Sequence, residues 1–145
     1  MKHASRHSRG LTVLAVLALA AALAPQAAHA QADLLNGKTF TVAEGDAGKP
    51  ANLDNVFTFS DGKFHSKACD QWGYGKGDVK AFREGDAIRF EAETLSEKYG
   101  SRQVWKGKVT GDTIEGTKTL YIKPTFFRPN PEPTEGWFKG TSQRN

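Results

Sequence analysis

Cysteine occurs once in this chain, at Cys69, so an internal disulfide cannot form even in an oxidising compartment. Histidine is nearly as scarce: His3, His7 and His29 fall within the first thirty residues, and only His65 lies beyond them. One imidazole, one thiol and the adjacent Asp70 fall short of a closed zinc site, so no metal or other cofactor is expected. There is no G-x-S-x-G elbow, no glycine-rich phosphate loop opening a helix and no histidine cluster. The carboxylates Glu91 and Glu93 are spaced i, i+2, as on the solvated face of a strand. These absences argue against an enzyme and leave no catalytic residue to nominate. Beyond residue 30 no segment has sustained helical periodicity, apart from room for a single turn in Lys67–Gly75.

Long hydrophobic runs are limited to one. Lys2, Arg6 and Arg9 precede the 14-residue stretch LTVLAVLALAAALA, and Ala28-His29-Ala30 offers the small-x-small pattern of a signal-peptidase site. The run is too short for a stable bilayer span. Residues 1–30 are therefore expected to be a cleaved signal peptide, and 31–145 one domain, exported to the periplasm or the medium. The excess of positive charge also thins out. Of 20 Lys and Arg, three sit in the leader, leaving 17 against 16 acids, a formal +1. Cations and anions are interspersed, so nothing resembles the clustered charge that binds nucleic acid.

What the sequence has is turns. Asp61-Gly62, Gly85-Asp86 and Gly111-Asp112 separate stretches rich in β-branched and aromatic residues. Eight strands are expected, over 38–43, 55–60, 63–66, 78–83, 87–96, 102–110, 113–122 and 136–141. A two-residue loop at Asp61-Gly62 puts Phe57, Phe59 and Phe64 on one face and His65 on the other. A loop at Gly111-Asp112 pairs Val109 with Ile114, Lys108 with Glu115, Gly107 with Gly116 and Trp105 with Lys118. A flat sheet of eight strands would leave two bare edges. The predicted fold is therefore an all-β, eight-stranded antiparallel up-and-down barrel, with an open β-sandwich as the alternative. Four of the six prolines fall in KPTFFRPNPEPTE, 123–135, a stiff loop before the last strand.

The spacing Trp105-x-Gly107-x-Val109-x-Gly111-Asp112-x-Ile114-x-Gly116-Thr117 resembles the strand pairs of calycin-type barrels, which include lipocalins and streptavidin-like proteins. More closely, the chain resembles small exported bacterial proteins of no assigned activity. It shares with them Leu35-Asn36-Gly37-Lys38-Thr39-Phe40, Gly62-Lys63-Phe64-His65-Ser66-x-x-Cys69, Gly73-Tyr74-Gly75 and Phe90-x-Ala92. The resemblance implies the barrel. Phe40 stands where lipocalins place tryptophan, and no ligand residue carries over.

Three places invite a function. His65-x-x-x-Cys69 could form a dyad only if both side chains met, and a packed thiol beside a solvated imidazole is the plainer expectation. Gly107 and Gly116 face each other beside Trp105, leaving room for a small apolar or amphipathic ligand, with Gln103 and Lys118 on the same side. Against this, Lys118 could snorkel to the rim while the glycines relieve curvature. Finally, Phe126, Phe127 and Arg128 in the proline-rich loop could plug the barrel or meet a protein partner, such as a hydrolase to be inhibited. A filled interior with both phenylalanines exposed favours the partner.

Overall fold

Asp61 and Gly62 reverse the chain with positive φ at both positions (53° and 70°), as a type I′ hairpin turn requires. Gly85 and Gly111 take positive φ at two further turns. In each case the flanking residues pair directly: Ser60 with Lys63, Glu84 with Ala87, and Thr110 with Thr113. The computed structural model describes residues 32–144, so the leader expected over 1–30 lies outside the described residues.

The strands are β1 (Thr39–Asp46), β2 (Leu53–Ser60), β3 (Lys63–Ser66), β4 (Gly77–Glu84), β5 (Ala87–Leu95), β6 (Arg102–Thr110), β7 (Thr113–Tyr121) and β8 (Thr134–Ser142). They follow one another as antiparallel neighbours, and β1 then pairs with β8 from Phe40↔Ser142 to Asp46↔Gly136, closing the barrel. The sandwich alternative is therefore not adopted. Both hairpin registers expected from the turns are present, Gly107↔Gly116 and Trp105↔Lys118 included. A 3-10 turn, Lys67–Trp72, occupies the place left for helix, and a second, Asp33–Leu35, lies where none was expected.

The two ends differ. One carries the three two-residue turns and is floored by Leu35, fully buried in a short 3-10 turn ahead of β1. The other carries the longer connections: 47–52, 67–76, 96–101 and 122–133.

Side chains alternate across each strand, and the inward set fills the barrel. Phe40, Phe57, Phe59, Phe64, Phe90, Trp105 and Phe138 are each at most 1% exposed. Phe57 is the hub, with ring centroids 5.0 Å from Phe64, 5.2 Å from Trp105 and 5.1 Å from Phe138 in edge-to-face geometry, the arrangement aromatic quadrupoles favour. The room beside the glycine pair is taken. A Cβ on Gly107 would stand 2.5 Å from Phe90 Cε1, and one on Gly116 would stand 2.5 Å from Phe138 Cζ. The glycines thus admit the protein's own rings, which correct the expectation of a hollow there.

Phe57→Ala should lose about 3–5 kcal/mol of stability in urea unfolding, as a large core truncation does. Phe127→Ala, on the surface, should change it by no more than about 0.5 kcal/mol. Equal losses from the two would show that the ring cluster is not the core.

Candidate functional site

The register that buries the rings also buries polar groups, because the same parity continues toward the long-loop end. In β1, Phe40 and Val42 are followed inward by Glu44, completely buried. In β2, Asn55 precedes Phe57 and Phe59; in β3, Ser66 follows Phe64; in β6, Gln103 precedes Trp105. The result is a polar layer lying on the aromatic plug.

Its hydrogen bonds have a fixed direction. Asn55 Oδ1 accepts the backbone N–H groups of Val56 and Ala68, at 2.7 and 2.8 Å. The Asn55 Nδ2 group must then donate, and it does so to Glu44 Oε1 and to Ser66 Oγ. Ser66 Oγ–H donates a hydrogen bond to Cys69 Sγ at 3.1 Å, and the thiol donates to Gln103 Oε1 at 3.4 Å. The other Glu44 oxygen accepts from Lys118 Nζ, which also lies 5.7 Å from the centre of the Trp105 ring. A buried carboxylate is tolerated when it is paired and hydrogen-bonded in this way.

Lys118 and Gln103 therefore lie on the inner side with Trp105, as parity predicts, but they do not converge on a shared space. Lys118 is bound to Glu44. Trp105 is sealed, its Nε1–H donating to Thr94 Oγ1 at 3.1 Å. Gly107 and Gly116 sit lower, under the Phe90 and Phe138 rings. Of the five proposed ligand residues, Gln103 reaches a cleft at the barrel mouth, and Gly107 and Gly116 border a depression on the outer wall.

The mouth cleft, of about 580 Å³ at the long-loop end, is lined by Trp72, Tyr74, Tyr99, Ser101, Gln103, Leu120, Ile122, Lys123 and Thr125. Its walls are tied together. Ser96 Oγ donates to the Trp72 carbonyl and accepts from the Tyr99 N–H, while Tyr74 Oη and Ser101 Oγ share a 2.7 Å hydrogen bond. The outer-wall depression, also about 580 Å³, lies beside Gly107 and Gly116 among charged side chains. Several of these are already paired, as in Lys106–Glu91 and Lys108–Glu115.

His65 and Cys69 belong to different sides of the sheet. His65 Nε2 meets Asp70 Oδ1 at 2.6 Å, whereas the buried Cys69 thiol has Ser66 and Gln103 as partners. No hydrogen bond joins the pair, so the imidazole is not placed to activate the thiol. Burial, the dominant cause, pushes the Cys69 thiol above its ordinary value, the reverse of what a reactive cysteine needs. Among the described residues no group of three or more His, Cys, Asp or Glu side chains could hold a metal ion.

The proline-rich loop ends in a tight tip. Thr125 and Arg128 exchange both backbone hydrogen bonds, at 3.0 and 3.1 Å, and Phe126 and Phe127 project between them, 91% and 94% exposed. The two rings pack edge to face on each other at 5.3 Å. Neither plugs the barrel.

Removing Lys118 alone strands the Glu44 charge, so Lys118→Met should cost about 3–5 kcal/mol. Glu44→Gln/Lys118→Met should recover most of that in urea denaturation; a double variant as weak as the single would show that the pair is unimportant. The Cys69 thiol is neutral in both states below its unfolded value of 9.0. Above that pH the unfolded chain ionises first, so stability should fall as pH rises toward the higher folded value. Cys69→Ala should remove this part of the alkaline slope, and an unchanged slope in thermal melts from pH 8 to 11 would contradict it.

No family model, curated protein or solved structure matches the chain, so its likeness to calycins rests on the closed eight-stranded barrel.

Proposed function

We infer that this is an exported binding protein of calycin-like shape that works through the long-loop end of its barrel, with the Phe126–Phe127 tip as its contact for a protein partner. One observation carries this reading: two adjacent phenylalanines stand 91% and 94% exposed on a hydrogen-bonded turn. Burying a phenylalanine is worth about 1.5–3 kcal/mol, and a stiff loop loses little freedom when it docks. Arg128, next to the rings, adds a cation for orientation. A hydrolase met in the periplasm or the medium is the kind of partner such a protruding tip can enter. No chemistry of the chain's own and no cofactor are required.

The mouth cleft favours a second reading, a small apolar or amphipathic ligand. The site moves from the interior to the mouth, where Gln103 remains in contact with the ligand. Trp105, Lys118, Gly107 and Gly116 support the floor from below. No helix among the described residues is long and apolar enough to cross a membrane, and neither reading needs one.

Affinity capture with the wild-type domain and with Phe126→Ala/Phe127→Ala should return a partner that the variant loses. The same proteins recovered with both would end the docking-tip reading.

A further inference from the structure

The directed polar chain has a free end. Each donor from Asn55 onward has its acceptor fixed, so Gln103 Oε1 is committed to the Cys69 S–H. The Gln103 Nε2 group is left with no hydrogen-bond partner among the described residues. The residue is only 8% exposed, yet among the described residues no side-chain nitrogen or oxygen is both sealed and unpaired. The amide N–H₂ therefore opens into the cleft that Gln103 lines. The flipped amide, which would turn Oε1 to the cleft, is disfavoured because the Cys69 thiol proton would then lose its acceptor.

The surroundings define what meets those hydrogens. Trp72 and Tyr99 form one wall, with ring centroids 6.4 Å apart, and Leu120 and Ile122 face the same space. A volume near 580 Å³ is in the range of small-molecule sites. Among the described residues the only charged side chain lining it is Lys123, because Lys118 is held by Glu44 below. An aromatic body fits these walls, and a hydrogen-bond acceptor fits the floor.

We propose that the mouth cleft binds a planar aromatic molecule whose carbonyl or carboxylate oxygen accepts a hydrogen bond from Gln103 Nε2. This rests on the small-ligand reading of the mouth and is independent of the phenylalanine tip. The Gln103 amide is the specificity element: it admits acceptors and disfavours ligands of the same shape that lack one, since binding those would leave the amide dry and unpaired.

The test uses residues 31–145 and two probes of matched size, 2-acetonaphthone, with a carbonyl, and 2-ethylnaphthalene, without one. Binding is followed by ¹H–¹⁵N NMR, with the Gln103 side-chain amide signal assigned by triple-resonance spectra of the unaltered, ¹³C,¹⁵N-labelled protein. Acetonaphthone should bind about tenfold more tightly, the effect of one net hydrogen bond, and should shift the Gln103 amide signal. The preference should vanish in Gln103→Glu, which still offers the thiol an acceptor. The amide shift is read in the unaltered protein, so it stands even if that variant folds poorly. Equal affinities, or binding that leaves the amide signal unmoved, would overturn the proposal while keeping the cleft as a binding site. Failure of both probes to bind would overturn the small-ligand reading as well.

Discussion

The buried carboxylate of Glu44 constrains the polar layer at the long-loop end of this barrel. A charge in so dry a place must be neutralised and hydrogen-bonded, and the chain meets this need from strands far apart in sequence, with Lys118 from β7 and Asn55 from β2. Asn55 can serve only because two backbone N–H groups fix its orientation, one of them from Ala68 in the 3-10 turn. The ion pair, the turn and the β2–β3 hairpin therefore depend on one another. Replacing such a layer with hydrophobic residues often stabilises a protein. Here it also ends the aromatic plug and leaves a polar floor facing the mouth, with Gln103 as its last member.

The same division leaves the barrel interior filled. An eight-stranded barrel is just wide enough either for its own side chains or for one small ligand. Here those side chains are mostly rings, and Gly107 and Gly116 give up their volume to Phe90 and Phe138. The closed end, with two-residue turns, has little freedom to vary. The other end holds the four longer connections, as is common where a rigid scaffold carries binding loops. Trp72, Tyr99, Phe126 and Phe127 are all exposed on those connections. Among the described residues, the other exposed large hydrophobics, Leu53, Phe82 and Leu95, lie on strands, so the connections hold the larger share.

Much of this was legible in the sequence. The Asp-Gly and Gly-Asp pairs set the hairpin lengths, and alternation then placed Phe57, Phe59, Phe64, Trp105, Val109 and Ile114 inside. Edge avoidance closed the sheet. Glu44 was missed because β1 was expected to stop at Ala43, although the alternation Phe40, Val42, Glu44 continues without a break. Asn55 and Ser66 lay on readable parity, but pairwise registers do not show which polar residues meet across a barrel. The filled interior was also hidden: two facing glycines look like a void until the rings from β5 and β8 are placed. The cleft draws on three separate loops, whose relative positions no local pattern encodes.

The exposed tip and the buried relay follow opposite physical logics. In the relay every donor but the last is matched to an acceptor inside the fold, and that remaining donor faces the solvent-open cleft. At the tip the apolar surface is unmatched, since Phe126 and Phe127 touch chiefly each other. A sequence selected for stability alone would gain nothing from holding two such rings in water, and it risks association through them. The prolines at 124, 129, 131 and 133 limit the loop's alternatives, which lowers the entropy lost on docking but contributes nothing to the core. On the proposed docking reading, that stiffness serves recognition rather than folding. By the same reasoning the Gln103 amide, held in place by a chain of committed hydrogen bonds, is preorganised for a group that comes from outside the chain.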